Sequence, residues 1–98
     1  MTKFGDLIKG EKTVLFTFYT TASEEATNMH AILKKVAGSL EGGVKIIRIN
    51  AQENIELAKA LRIQSVPTLL IYKNGEMVWR QSGKQQSKTL VKMLNDFK

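Results

Sequence analysis

Hydrophobic and polar positions follow two different periods along this chain, and each change of period marks an element. Val14-Leu15-Phe16-Thr17-Phe18-Tyr19 is β-branched and aromatic on both faces, which predicts a central strand covered on both sides. Helical spacing takes over next. Ala26, Met29, Leu33, Val36 and Leu40 recur at i, i+3 and i+4, with Ile32 and Ala37 widening the stripe. Gly38, Gly42 and Gly43 are expected to end this helix. Val44-Lys45-Ile46-Ile47-Arg48-Ile49 reads as a second strand. A long helical segment separates it from the first, so the pair is expected to be parallel with a right-handed crossover.

The remaining pattern is shorter in period. Asn54 to Leu61 predicts a short helix, and Val66-Pro67-Thr68 opens a third strand, Leu69 to Tyr72. Asn74-Gly75 is a hairpin signal that returns Met77 to Ser82 antiparallel. On that strand Met77 and Trp79 alternate with Val78, so the first two are expected on one face, with Trp79 at the rim of the core. Ser87 is placed to cap a last helix whose buried stripe is Leu90, Val91, Leu94 and Phe97. Thr2 to Lys9 predicts a short opening helix with Phe4, Leu7 and Ile8 on its apolar face, followed by a turn at Gly10-Glu11-Lys12. The order α, β, α, β, α, β, β, α implies a three-layer α/β/α sandwich.

The junction between the first strand and the long helix reads Tyr19-Thr-Thr-Ala-Ser-Glu-Glu-Ala26. Ser23 is a good N-cap, while Thr21 with Glu24 three residues on offers a capping box instead. Glu24 and Glu25 fall in the first turn, where the helix dipole favours negative charge.

Composition narrows the chemistry. Residues 1–98 are expected to form a single domain; a chain of this length buries roughly 60–70% of its unfolded surface. The segment Met1-Thr2-Lys3-Phe4-Gly5-Asp6 lacks the apolar core of a signal peptide, and no stretch approaches a membrane span, so a cytoplasmic location is expected. The net charge of +6 favours acidic partners. Its 15 Lys and Arg are scattered, Lys34-Lys35 is the longest basic run, and no aromatic-rich basic motif points to nucleic acid.

Cysteine is absent, which removes disulfides, thiolate nucleophiles and sulfur-ligated metals. His30 is the single histidine, and with nearby Glu it is no metal-ligand set, so neither metal nor cofactor is expected. Ser23 and His30 are seven residues apart on one helix, about 10 Å along its axis, beyond hydrogen-bond reach for a nucleophile and its base. Glu24 and Glu25 project about 100° apart and do not flank one bond. Gly38 to Lys45 resembles a phosphate loop only loosely. It puts Val44 where the lysine belongs and runs from helix to strand.

The element order and three local strings resemble the thioredoxin family over nearly the whole chain, from about Phe4 to Phe97. "VLFTFY" is similar to the family's strand before the active site, "RIQSVPT" to the segment with its cis-proline, and "LLIYKNGEMVWRQSG" to the hairpin and glycine that follow. The resemblance implies a thioredoxin-like sandwich. The family's first edge strand is expected to be missing, leaving a four-stranded mixed sheet with residues 44–49 as an edge. Aligned on it, Ser23 and Ala26 occupy the positions of the family's two cysteines, Ala22 that of its tryptophan, and Glu24-Glu25 those of Gly-Pro. Thr17 falls at a buried aspartate and Ala31 at a helix-kinking proline. A laboratory removal of two thiols would have left the neighbouring Trp, Gly and Pro in place, so these replacements are read as natural.

The resemblance carries a thiol–disulfide oxidoreductase label that the residues contradict. What it leaves is a groove for an extended peptide, formed by Val66, Pro67 and Gly83 with Ala22 in place of the aromatic wall. The expected function is a redox-inactive binding module for a protein or peptide. The alternative is a structural or oligomerising protein that uses its exposed edge strands. The protein is expected to show no turnover above the uncatalysed rate in a disulfide-reduction assay driven by a dithiol reductant; turnover well above that rate contradicts the assignment.

Overall fold

A computed structural model of the chain describes residues 4–8, 13–40 and 43–97. Its element order is α1 (Phe4–Leu7), β1 (Thr13–Tyr19), α2 (Glu24–Ser39), β2 (Val44–Asn50), α3 (Ile55–Ala60), β3 (Thr68–Lys73), β4 (Glu76–Ser82) and α4 (Ser87–Phe97). The sheet runs β2-β1-β3-β4. β1 pairs parallel with β2, in the register Leu15↔Ile46, and antiparallel with β3, in the register Leu15↔Ile71. This is the four-stranded mixed sheet expected from the sequence, with β2 as one edge.

Because β1 and β3 are buried on both faces, two cores form. Leu15, Leu69 and Ile71 pack under Met29, Leu33 and Val36 of α2 and Leu90 and Leu94 of α4. On the opposite face Val14, Phe16, Phe18, Leu70 and Tyr72 pack with Phe4, Leu57 and Leu61. Phe4, Phe16 and Tyr72 form an aromatic trio with centroid separations of 4.8 to 5.6 Å. The Thr13 hydroxyl donates to the Phe97 carbonyl at 2.9 Å, tying the end of α4 to the start of β1. Each fully buried Leu or Phe contributes about 1.5–3 kcal/mol, so these two layers dominate stability.

Four expectations change in detail. Gly38 does not end α2; the helix continues through it to Ser39, and the Leu40 N–H closes on the Val36 carbonyl at 3.2 Å. The apolar stripe beyond Val36 lacks a tight stop there, and Gly costs a helix interior only about 1 kcal/mol. Ala37 is exposed, so the stripe is narrower than its periodicity suggested. Ser87 lies inside α4, with the Gln86 carbonyl accepting from Leu90 N–H at 3.1 Å. Finally, Met77 and Trp79 lie on opposite faces. Tyr72 pairs with Met77 but Ile71 with Trp79, so Val78 is the extra residue of a bulge and the face alternation shifts there. Trp79 packs against the α2/α4 core as a half-buried rim residue. The turn at Asn74-Gly75 has φ of 54° and 82°, the left-handed pair that a two-residue hairpin requires. The expectations at Thr2, Lys3, Lys9 to Lys12 and Gly42 lie outside the described residues.

Candidate functional site

The end of β1 delivers the chain to a turn, Thr20 to Ser23, and then to the N-terminus of α2. Ser23 is the cap. Its Oγ accepts from Ala26 N–H at 3.1 Å, and its carbonyl accepts from Thr27 N–H at 3.0 Å and from the Thr27 hydroxyl at 2.9 Å. This settles the choice between Ser23 and a Thr21 capping box. The hydroxyl acts as an acceptor for the helix. Ala26 is buried and Ala22 is exposed. No thiol stands at either cysteine position, nor anywhere in the chain.

Two distant segments are joined to each other, and one of them reaches the first turns of α2. The Val66–Pro67 peptide bond is cis, with Pro67 buried and Val66 half-buried. The Gly83 N–H donates to the Pro67 carbonyl at 2.8 Å, and Gly83 sits at φ 92°, a conformation that side-chain-bearing residues rarely adopt. An added Cβ there would meet nothing within 4 Å, so the requirement for glycine comes from the backbone angle and not from crowding. The next residue turns toward α2. Lys84 N–H donates to Glu25 Oε1 at 2.8 Å, and Gln85 N–H points to Met29 Sδ at 3.4 Å. Pro67 and Gly83 are therefore brought into direct contact, and Glu25 bonds the residue after Gly83, while among the described residues no hydrogen bond ties Ala22 to either.

Glu25 and Arg80 matter to the site in ways the sequence pattern does not reveal. Glu25 satisfies a backbone donor 59 positions away, whereas local reasoning sees only a first-turn acidic residue. Arg80 on β4 donates through its guanidinium to the Leu61 and Arg62 carbonyls, the second at 2.7 Å, and so holds the loop that leads to Val66. Arg62 has φ 55°, and both carbonyls at the end of α3 point outward to be captured. Neither partner is adjacent in sequence, so periodicity carries no signal for either contact.

His30 belongs to a different place. It lines a cavity of about 190 Å³ between α2 and β2, with Leu33, Lys34, Ala37, Ile46 and Arg48. Its pKa is lowered, first by the positive charge of Arg48, then by burial, then by Lys34. Among the described residues no group of three or more His, Cys, Asp or Glu is arranged to hold a metal ion. Thr17, at the family's aspartate position, is buried and its hydroxyl has no hydrogen-bond partner among the described residues. It offers no carboxylate to move protons. An unsatisfied buried hydroxyl costs about 1–3 kcal/mol. Thr17→Val is expected to raise stability by about 1 kcal/mol in urea unfolding, since it removes that hydroxyl at similar shape; a loss of stability shows the hydroxyl to be satisfied.

The comparisons with known proteins agree with this geometry. A thioredoxin family model matches residues 1–96. A thioredoxin-like protein from Synechocystis sp. is 33% identical over 95 residues, spanning 96% of this chain and 90% of that protein. A thioredoxin from Rickettsia bellii is 28% identical over 91 residues, 93% of this chain and 87% of its own length. Among solved structures, a mutant thioredoxin from Halobacterium salinarum matches with a TM-score of 0.88 at 24% identity, covering 99% of this chain and 84% of the other. No helix among the described residues is long and apolar enough to cross a membrane. With two cores about a four-stranded sheet, a capped helix start facing a Pro67–Gly83 contact, and a family model along nearly its full length, this chain belongs to the thioredoxin family, and it does so without a cysteine.

Proposed function

We propose that this protein is a redox-inactive member of its family that binds an extended segment of a protein or peptide, and that it is not an enzyme. The site of binding is the groove beside Val66, Pro67 and Gly83, with Ala22 on its rim. Thiol–disulfide exchange requires a thiolate to attack and another to leave, and this chain supplies neither. Ser23 is no substitute, because its hydroxyl serves the helix and His30 lies in another cavity.

The observation that carries the binding reading is the state of the backbone around the groove. Gly83 N–H is bonded to Pro67 and Lys84 N–H to Glu25, which holds the three segments together. Val66 N–H and C=O have no backbone partner among the described residues. An extended segment laid beside Val66 would take up that donor and acceptor in the manner of an added strand. The rim has changed in character from what the family motif implies. Ala22 is small and exposed where the aromatic wall would stand, and Glu24, Glu25 and Lys84 are exposed charges, Glu25 bonded to Lys84 N–H. Such a rim favours reversible, charge-selective recognition over the apolar docking of a disulfide substrate.

Gly83 is a poor place to test this, since any substitution there strains a φ of 92°. Val66→Glu is the better variant. Immobilised wild-type protein is expected to capture from its source lysate a partner that Val66→Glu fails to retain. The purified partner should then shift the amide resonances of Val66 and Gly83 with a Kd at least tenfold tighter for wild type. Equal capture by both proteins, or shifts that avoid these residues, contradicts the groove as the working site.

A further inference from the structure

The outer edge of β2 lies at the far side of β1 from β3, away from Val66, Pro67 and Gly83. In the sheet order β2-β1-β3-β4 nothing among the described residues pairs with that edge. A strand of seven residues thus presents alternate N–H and C=O groups outward. Depressions open on both faces of the same edge. On the α2 side lies the cavity of about 190 Å³ lined by His30, Leu33, Lys34, Ala37, Ile46 and Arg48. On the α3 side lies another of about 330 Å³, with Phe4, Ile47, Ile49 and Leu57 among its walls. Arg48 borders both, its guanidinium stacked 4.2 Å from the centre of the Tyr19 ring.

The two depressions differ in chemistry, and a strand alternates between faces. The α2-side cavity brings together Lys34, Arg48 and His30 with no acidic residue in its lining. The His30 pKa is lowered first by Arg48, then by burial and then by Lys34. The α3-side depression is mixed: Ile47, Ile49 and Leu57 line it beside the polar Asn50, Glu53 and Asn54. An added strand would place every second side chain on the side of Lys34 and Arg48 and the others on the side of Ile47, Ile49 and Leu57.

We propose that the β2 edge takes up an extended segment of a partner protein in which acidic and apolar side chains alternate, by strand addition. The acidic positions lie over Lys34 and Arg48 and the apolar positions over Ile47, Ile49 and Leu57. Charge complementarity selects this occupant over a second copy of the chain. Two-fold pairing of β2 with itself would bring two such basic cavities alongside one another in a protein already carrying +6.

The probe is the peptide acetyl-Glu-Val-Glu-Val-Glu-Val-amide, and its control is the same peptide with lysine in place of glutamate. Added to isotope-labelled protein, the acidic peptide is expected to shift amides of residues 44–50, Leu33 to Ala37 and Leu57 saturably, and to raise the pKa of His30. Val66 and Gly83 should stay unmoved, so this result is independent of the groove. Lys34→Glu and Arg48→Glu should each weaken binding at least tenfold while leaving the rest of the spectrum intact. Strand addition has a further signature. N-methylation of one alternate set of peptide amides should abolish binding, and methylation of the other set should leave it unchanged. Equal binding of the lysine peptide, equal tolerance of both methylated sets, or shifts confined to Val66 and Gly83 overturns the proposal. A concentration-dependent dimer in ultracentrifugation whose interface includes residues 44–50 also overturns it, by giving the edge to a second copy.

Discussion

Residues Thr13 to Phe18 are buried on both faces of the sheet, so β1 has no side on which it meets water. Such a strand is stable only when helices cover both faces and strands pair with both edges. The rest of the molecule supplies those partners. α2 and α4 close one face, α1 and α3 approach the other, and β2 and β3 satisfy the backbone on either side. Two strands are then left at the margins, and both are shaped by that position. β4 carries a bulge at Val78 that breaks its alternation, and β2 has no strand on its outer edge among the described residues.

The same strand fixes the candidate site. Its C-terminal end points the chain into the N-terminus of α2, and β3, paired beside it, begins just after Pro67. Loss of the thiols does not disturb this arrangement, because the contacts that build it involve none of the missing groups. Ser23 caps the helix by accepting from Ala26 N–H, Gly83 reaches Pro67 through backbone atoms alone, and Glu25 closes the gap to Lys84. A fold can shed its reaction in this way and keep its surface. On the proposed reading, function rests on what the surface binds, and the fold by itself does not specify that.

Much of the architecture was legible in the sequence. The buried run at residues 14–19, the helical stripe from Ala26 to Val36 and the Asn74-Gly75 turn each carry a period or a backbone requirement local to a few residues. Ser23 as a cap was legible for the same reason. Three kinds of feature were not. The bulge at Val78 depends on the register between β3 and β4, which alternation along one strand does not encode. The passage of α2 through the exposed Gly38 runs against a propensity of only about 1 kcal/mol, too small to fix the helix end. Glu25 to Lys84 and Arg80 to the end of α3 join residues 59 and 18 or 19 positions apart, and their meaning appears only when the chain is folded. The candidate site shows the same division. Val66, Pro67 and Gly83 were found by resemblance to a family, whereas the groups that hold them in place were found by geometry.

The central claim is that a thioredoxin-family scaffold without thiols works by binding beside Val66–Pro67. A photocrosslinking side chain placed at Ala22 tests it most directly, because Ala22 is exposed, lies on the rim of the proposed groove, and takes part in none of the hydrogen bonds among the described residues that join Ser23, Pro67 and Gly83. The reference is the same group at Lys92, on the exposed side of α4. Irradiation in the source cells is expected to give discrete partner adducts from position 22 that are absent from position 92 and absent when Val66→Glu is also present. Adducts of equal yield from both positions, or from position 22 regardless of Val66, would contradict the account.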